Sequence, residues 1–257
     1  MNNDLVSIIM PSYNTAQYIG ESIKSVQNQT YTNWELIIVD DCSTDDTDGI
    51  VEQFRENNCR IKYFKNEKNS GAAISRNKAL REAKGRWIAF LDSDDLWSND
   101  KLEKQINFMK KNNYHFSYTN YMEIDEKSKP NGNLITGPHK ISKLGMYCYC
   151  WPGCLTVMYD SKTVGLIQIN DLKKNNDYAM WLNVIDKEQC YLLNQNLASY
   201  RKRSGSISNH SYRKLIKWHY LLFRTEKRFN KILSIINTII NLLFGVLKKL
   251  IYVKSVK

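Results

Sequence analysis

The 257-residue sequence lacks an apolar leader, an internal repeat and a low-complexity linker. Its first strand-like run starts within the first seven residues, which leaves no room for a signal peptide. The six cysteines are therefore expected to be reduced thiols in the cytosol. Cys148, Cys150 and Cys154 have a spacing similar to that of metal ligands. A second C-x-x-C pair and a well-placed histidine are missing, so no structural zinc is expected.

Acidic residues are nearly absent from the last quarter of the chain. Residues 201–257 contain 14 Lys and Arg but one acid, Glu226, whereas the first 200 residues hold 23 basic and 25 acidic residues. The net charge of +11 therefore originates in the C-terminal part. Such asymmetry points to an anionic surface, either membrane or nucleic acid. No DNA- or RNA-binding motif accompanies the charge, so nucleic acid is not an expected partner.

The C-terminal part also contains an amphipathic pattern. From Lys231 to Lys249, polar residues recur every three to four positions between Ile, Leu, Phe and Val. This predicts a helix with a wide apolar face and basic ends, formed by Lys227, Arg228, Lys248 and Lys249. Its uncharged part of 16 residues would be about 24 Å long, less than the roughly 30 Å of a bilayer core. We expect this basic tail, residues 213–257, to lie in the membrane interface; packing on the preceding domain is the alternative.

Four apolar, β-prone runs alternate with helical patterns in the first half of the chain. The runs are residues 5–10, 36–39, 60–64 and 87–91, and the last helical pattern, 72–84, precedes Gly85 as an expected C-cap. A capping box is expected to open the second helix at residues 43–46. Because the strands are apolar throughout, they predict a mostly parallel sheet with helices on both faces. We assign this α/β domain to residues 1–212, with further strands near 116–124, 155–159 and 191–193.

Polar residues follow three of these strands directly. They are residues 11–14, 40–41 and 92–95. In open α/β sheets, ligands bind beyond the carboxyl ends of the strands. The sequence therefore predicts a binding site where these three segments meet.

Six segments resemble the GT-A glycosyltransferases of family 2. They are VSIIMPSYN (6–14), ELIIVDDCSTDDT (35–47), NSGAAISRNKAL (69–80), WIAFLDSDDLW (87–97), NNDYAMWL (175–182) and YRKRSGSIS (200–208). They follow the family's order over about residues 5–210, and the bacterial enzymes of surface-polysaccharide synthesis are similar. The resemblance implies a GT-A fold and a metal-dependent transfer of sugar from a nucleotide-sugar donor.

The acidic segment after the fourth strand is the candidate metal site. A leaving diphosphate needs a hard cation, Mn²⁺ or Mg²⁺, held by one or two carboxylates. Asp92 and Asp94 offer two carboxylates on the same side of an extended segment. The resemblance implies that Asp92 faces the ribose beside Ser93, that Asp94 holds the metal and that Asp95 assists. The alternative is that the cluster caps the helix that begins near residue 100.

Other residues are expected to bind the donor. The resemblance implies that Asp41 hydrogen-bonds the uracil edge, while Asp40 serves the adjacent turn. Pro11 and Tyr13 would line the base and ribose pocket, Tyr13 by stacking, although a tyrosine here could equally belong to the core. Helix capping is the alternative for both aspartates.

Two further donor contacts come from the segment 69–80. Arg76 would approach the base or the diphosphate as a planar cation, and a solvated helix face is the alternative. Gly71 would allow the donor to approach the backbone closely.

The segment at 200–208 resembles the one that closes over the donor phosphates. It contributes Tyr200, Arg201, Ser206 and Ser208, and Arg203 stands where many relatives have a histidine. Arginine could compensate the diphosphate charge but could not ligate a metal.

Asp177 is the candidate catalytic base. An inverting transfer needs a carboxylate opposite the leaving group, to take the proton of the acceptor hydroxyl. Family members usually have Glu-Asp here, whereas this chain has Asn176-Asp177. The aspartate matches the base, and the lost glutamate leaves open what orients it. An N-cap role for Asp177 is compatible with catalysis.

The expected activity is therefore inverting transfer of one sugar from a UDP-sugar to a lipid-linked saccharide. It would take place at the inner face of the plasma membrane, by a cytoplasmic, peripherally bound enzyme. The Q-x-x-R-W motif of processive relatives is absent. A sugar-phosphate nucleotidyltransferase would have a Gly-rich loop after the first strand, and PSYNTAQY is not one. A polyprenyl-phosphate glycosyltransferase, which needs no base, and a non-enzymatic membrane scaffold are the remaining alternatives.

Overall fold

The computed structural model describes residues 2–203 and 212–256. Its first half alternates strands and helices, which confirms the sequence-based prediction with small shifts of the bounds. The elements are β1 (Asn2–Ser12), α1 (Ala16–Gln27), β2 (Trp34–Asp40), α2 (Thr47–Glu56), β3 (Ile61–Lys65), α3 (Ala72–Glu82) and β4 (Gly85–Phe90). β1 pairs in parallel with β2 and β4, and β2 pairs in parallel with β3. Their carboxyl ends therefore share one edge of the sheet.

The second half adds elements of more varied length. They are β5 (Leu96–Trp97), α4 (Lys101–Asn112), β6 (Phe116–Ile124), β7 (Pro130–Ile135), β8 (Lys140–Ile141), α5 (Lys143–Cys148), a 3₁₀ turn (Cys154–Thr156), β9 (Met158–Asp160), α6 (Ser161–Val164), α7 (Asn176–Val184), β10 (Cys190–Arg201), α8 (Tyr212–Thr225), α9 (Lys231–Ile251) and β11 (Val253–Ser255). The sheet runs β11-β7-β6-β9-β4-β1-β2-β3, and β10 pairs with β5, β6 and β8. Because β9 and β7 are antiparallel to their neighbours, the sheet is mixed rather than mostly parallel.

The apolar strands are buried on both faces, as their continuous runs predict. All seven residues of β2 are buried; Ile37 and Val39 face one core cluster, and Leu36 and Ile38 face the other. Residues of α3, α7 and α8 complete the first cluster, and residues of α1, α2 and α4 complete the second. This two-sided burial holds the ends of the parallel strands in place.

Three local predictions were wrong. Gly85 is the first residue of β4 rather than a C-cap, and a Cβ there would lie 2.6 Å from the carbonyl oxygen of Leu5. The capping box does not form, because Asp46 is the N-cap of α2 and makes no side-chain cap. Residues 154–156 form a 3₁₀ turn, so the strand expected at 155–159 is reduced to β9.

The C-terminal helix α9 has its polar stripe toward the protein and its apolar face outward. Ser234, Thr238 and Asn241 are buried, whereas Ile232 and Leu243 are 72% and 60% exposed. With 21 residues, it is about 31 Å long, and it ends two residues beyond the predicted end at Lys249. Among the described residues, it is the one helix with the length and apolar composition to cross a membrane.

The basic tail is in contact with the rest of the chain. Leu222 and Phe223 of α8 are fully buried in the first core cluster, and β11 extends the sheet beside β7. Packing on the domain, the alternative given for the tail helix, is therefore observed, but through the polar stripe. One residue of the expected basic ends, Lys227, is unavailable to lipid, because its half-buried ammonium pairs with Asp186 at 2.5 Å.

Candidate active site

The ends of β1, β2 and β4 meet, as predicted from their polar residues. The backbone N–H of Asp41 donates to the carbonyl of Ser12 at 2.8 Å. The hydroxyls of Ser12 and Thr15 lie 2.8 Å apart, and Thr15 donates to the Ser93 hydroxyl at 3.0 Å. These bonds bring the candidate donor-binding segments to one edge of the sheet.

Asp41 holds the loop that precedes α3. Its carboxylate accepts from the backbone N–H groups of Ser70 at 2.8 Å and Gly71 at 2.7 Å, and from the Asn66 amide at 2.9 Å. The two backbone donors precede the first residue of α3, so Asp41 anchors this loop and does not cap the first turn of the helix. Gly71 has a φ of 89°, and a Cβ there would meet no atom within 4 Å. The glycine is therefore required by its backbone conformation, and the space above it is open.

The remaining residues at the ends of β1 and β2 separate into buried and exposed groups. Pro11 is buried within β1, opposite Val39. Tyr13 is 44% exposed, which rules out the core role considered for it and leaves its ring free to stack. Asp40 accepts from the backbone N–H and the hydroxyl of Ser43, so it serves the adjacent turn.

Arg76 joins the acidic segment to the start of α7. Its guanidinium donates to Asp92 and to the side-chain oxygen of Asn176, and only 7% of its side chain is exposed. Its Nε is buried without a partner among the described residues. The alternative of a solvated helix face is therefore wrong.

The three acids after β4 have different partners. Asp92 pairs with Arg76, Asp94 accepts from Arg203 Nε at 2.6 Å, and Asp95 accepts from the backbone N–H of Arg201 at 2.9 Å. Burial, followed by repulsion from Asp94 and Asp92, raises the pKa of Asp95 well above its usual range. Burial and Asp92 also raise the pKa of Asp94, while Arg203 lowers it. Asp95 therefore takes up a proton most readily, whereas Asp94 has a cation beside it.

The acidic segment fits a cation that binds together with a phosphate ligand. The side chains of Asp92 and Asp94 are 31% and 20% exposed, so both are reachable from solvent. No group of three His, Cys, Asp or Glu side chains converges among the described residues, so the chain does not enclose an ion by itself. One or two carboxylates with open positions are the arrangement that suits Mg²⁺ or Mn²⁺ on a diphosphate. The capping alternative fails, because Asp100 is the N-cap of α4.

Asp177 lies in the first turn of α7, beside Asn176. Its Oδ1 accepts from the backbone N–H of Tyr178 at 2.8 Å, and Asn175 is the N-cap of the helix. Burial raises the pKa of the Asp177 carboxyl, and the charge of Arg76 opposes this shift. A half-buried carboxylate with a raised pKa has the properties of a general base.

Arg201 has partners that differ from the expected donor phosphates. Its side chain is 0% exposed. All three guanidinium nitrogens donate to protein atoms, including Glu21 at 2.8 Å and the Asp94 carbonyl at 2.7 Å. We therefore do not assign Arg201 to donor binding, and its geometry indicates a structural role. Ser206 and Ser208, expected in the same segment, lie outside the described residues.

Two partners of the site were not identified from the sequence. Asn176 was noted only as a departure from the usual glutamate, yet it accepts from Arg76. Asn241 of α9 donates to the hydroxyl of Tyr178, next to Asp177, at 2.9 Å. The sequence separation of 63 residues gives no local signal for this second contact.

Comparison with solved structures identifies the same fold. Staphylococcus aureus TarS 1–349 in complex with UDP-GlcNAc matches with a TM-score of 0.70 and 22% identity, over 90% of this chain and 69% of that one. The mannosyltransferase PcManGT from Pyrobaculum calidifontis, in complex with GDP-Man and Mn²⁺, matches with a TM-score of 0.66 and 15% identity, over 96% and 76%. The expected GT-A class of α/β fold is confirmed.

Two relatives found by sequence have a higher identity to this chain than these two solved structures do. A putative teichuronic acid biosynthesis glycosyltransferase, TuaG of Bacillus subtilis (strain 168), is 41% identical over 88% of this chain and 90% of its own length. The UDP-Glc:alpha-D-GlcNAc-diphosphoundecaprenol beta-1,3-glucosyltransferase WfgD of Escherichia coli is 40% identical over 93% and 94%. The family model described as glycosyl transferase family 2 matches residues 7–157. The chain belongs to glycosyl transferase family 2.

Proposed function

We propose that this glycosyltransferase moves one sugar, with inversion, from a UDP-sugar to a hydroxyl of a lipid-linked saccharide during cell-surface polysaccharide synthesis. The observation that supports this most is that Arg76 donates both to Asp92 and to Asn176, the residue directly before Asp177. A base and a donor-side acid joined in this way can act on the two sides of one anomeric carbon.

The acceptor side of this mechanism depends on Asp177. Its carboxylate would take the proton of the acceptor hydroxyl while that oxygen attacks the anomeric carbon from the face opposite the leaving group. The raised pKa makes the carboxylate a stronger base than an exposed aspartate. Arg76 would keep it ionised, because a neighbouring positive charge favours the charged form.

The donor side depends on residues of the parallel strands. Tyr13 would stack on the base, Asp41 would accept from its ring N–H, and Gly71 would leave room for the donor over its open Cα. Asp92 and Ser93 would face the ribose. These roles follow the family resemblance and the shared position of the residues at the edge of the sheet.

Asp94 would hold a divalent cation, Mn²⁺ or Mg²⁺. A bound cation would neutralise the negative charge that develops on the leaving diphosphate. The Asp94 carboxylate already pairs with a cationic group, Arg203, at 2.6 Å, so this position attracts positive charge. The structural neighbour PcManGT was solved with Mn²⁺, which agrees with this proposal.

The acceptor and location follow from the relatives and from α9. The name of WfgD specifies UDP-Glc and a diphosphoundecaprenol-linked acceptor. The exposed apolar face of α9, with Lys231 and Lys249 exposed at its two ends, suits the anionic cytoplasmic face of a bacterial plasma membrane. We therefore place the enzyme there, peripherally bound.

The experiment that tests this function is Asp177→Asn. The amide keeps the shape but removes the base, so turnover should fall about a hundredfold or more while donor affinity stays within about twofold. Transfer to a saccharide–diphosphate lipid and binding of the UDP-sugar are measured separately. The anomeric configuration of the product, read by NMR, should be inverted.

Two outcomes would contradict the proposal. Loss of donor binding in the variant would mean that Asp177 belongs to the donor site. Full turnover with polyprenyl phosphate as the acceptor would indicate the alternative reaction, in which the phosphate needs no base.

A further inference from the structure

Lys248 is a half-buried lysine on the protein-facing side of α9. Its ammonium group donates to the carbonyl of Trp151 at 3.1 Å and lies 5.3 Å from the ring centre of Tyr149. Gly245, one turn earlier, brings the helix close to the same ring, since a Cβ there would lie 3.2 Å from the Tyr149 Cε2 atom. The helix therefore packs tightly on residues 149–151.

The Lys248 charge has no carboxylate partner within 4 Å among the described residues. Two other lysines, Lys143 and Lys227, do have a carboxylate partner, because both pair with Asp186, at 2.8 and 2.5 Å. Holding an ammonium group partly out of water without a counter-ion costs free energy. Such a group is suited to bind an anion that is supplied from outside the chain.

Lys248 is close to the proposed base. Asn241, two turns earlier on the same face of α9, donates to the hydroxyl of Tyr178, the residue after Asp177. Both charged groups act on the Cys150 thiol, whose pKa burial raises most, Asp177 raises further and Lys248 lowers. An anion on Lys248 would therefore lie near an acceptor sugar whose hydroxyl faces Asp177.

We propose that Lys248 binds the diphosphate that links the acceptor saccharide to its lipid, an inference that rests on the proposed function. The acceptor has three parts in a row: a sugar, an anionic diphosphate and an apolar chain. The protein presents Asp177, Lys248 and the exposed apolar face of α9, whose Leu247 and Leu250 flank Lys248 in sequence and are 42% and 75% exposed. The chemistry of each part of the acceptor thus matches one feature of the surface.

The test measures acceptor binding without donor or membrane. Two soluble probes with the same short alkyl chain are titrated by calorimetry: an N-acetylglucosamine alkyl diphosphate and the phosphate-free alkyl glycoside. Wild type should bind the diphosphate probe about tenfold more tightly, as expected for a charge-assisted hydrogen bond. Lys248→Met should lose this preference while binding the glycoside as before, and Lys248→Arg should retain most of it. Lys254→Met, an equal charge change at an exposed position of the adjoining strand β11, should have no effect.

Two results would overturn the assignment of Lys248: a wild type that shows no preference for the diphosphate, or a Lys248→Met variant that keeps it. An equal loss for both probes would also overturn it, since that would indicate a structural role. Failure of the proposed function gives a different result, in which the preference depends on Lys248 but no UDP-sugar supports transfer to the diphosphate probe.

Discussion

At the scale of single residues, Arg76 determines the electrostatics of the site. It is buried, donates to both Asp92 and Asn176, and carries the positive charge that opposes the rise in the pKa of Asp177. Without this charge, burial alone would raise the pKa of Asp177 further, and the carboxyl would stay protonated up to a higher pH. The arginine therefore acts on the chemistry of the acceptor side from a position on the donor side.

This role predicts a shift in pH dependence. In Arg76→Gln, the lost charge should raise the pKa of Asp177 further, so the acidic limb of the kcat/KM profile should move to higher pH. The ratio of variant to wild-type kcat/KM should therefore be about tenfold lower at low pH than at the pH optimum. Arg81→Gln, an exposed arginine on the same helix α3, is the control. An unchanged limb in Arg76→Gln would mean that the two groups are not coupled.

Asp94 gives a second prediction, which concerns the metal. Both EDTA treatment of the wild type and Asp94→Ala should abolish turnover, because the diphosphate charge would not be neutralised. Added Mn²⁺ should restore the treated wild type but not the variant, as measured by UDP release. Full activity in excess EDTA would remove the metal assignment.

Lys101 gives a prediction about stability. It is 0% exposed, its ammonium group has no hydrogen-bond partner among the described residues, and burial lowers its pKa well below the usual 10.5. The unfolded chain binds this proton below pH 10.5, so the free energy of unfolding should increase with pH up to that value. Lys101→Met should raise the free energy of unfolding by about 1–3 kcal/mol at pH 7, less so near pH 10. Urea denaturation at both pH values, with exposed Lys111→Met as the control, measures this difference.

The candidate site could be predicted where motif and strand end coincide. Asp92, Asp94 and Asp177 were predicted as site residues because acids that directly follow a buried strand, or open a helix in a recognised segment, have few structural explanations; their roles stay predictions. Arg201 was misassigned because an arginine in a phosphate-binding segment and a buried structural arginine look alike in one sequence. Only the partners of the side chain, such as Glu21, distinguish the two.

At the scale of elements, helix α9 packs on the protein through one face and exposes the other face to solvent. Its polar stripe packs on the protein, and the residues of its other face, among them Ile232, Ile239 and Leu243, remain exposed. Periodicity predicts the helix and the two faces but not which face meets the protein. A buried polar stripe needs hydrogen-bond partners such as Tyr178, and these are distant in sequence.

The exposed face predicts lipid binding with two components. Wild type should co-sediment with anionic vesicles, and high salt should reduce but not eliminate this binding, because charge attraction is screened and apolar insertion is not. A variant with Ile232, Ile239 and Leu243 replaced by Gln should bind at least tenfold more weakly and lose its binding in high salt. Its melting temperature should be unchanged, because the three side chains are exposed. Equal vesicle binding by this variant would exclude the apolar face as the contact. Substitution is preferable to deletion, since removing α9 also removes the Asn241–Tyr178 hydrogen bond.

At the scale of the whole molecule, the residues proposed for the donor and those proposed for the acceptor lie in different halves of the sheet. The parallel half, β1 to β4, carries the residues assigned to the donor, and its continuous apolar strands made it predictable. The mixed half, in which β6 and β10 pair in parallel and the shorter strands pair antiparallel, carries with α7 and the C-terminal helices the residues assigned to the acceptor. Several of its strands, such as the three-residue β9, are short, and their pairing depends on contacts far apart in sequence.

The 2.9 Å hydrogen bond from Asn241 to Tyr178 joins the outward-facing helix directly to the residue beside Asp177. On a bilayer, this connection would set a fixed height of the base above the lipid. The enzyme would then select acceptors by reach: a hydroxyl on the first sugar above the diphosphate arrives at Asp177, and the end of a longer glycan passes beyond it.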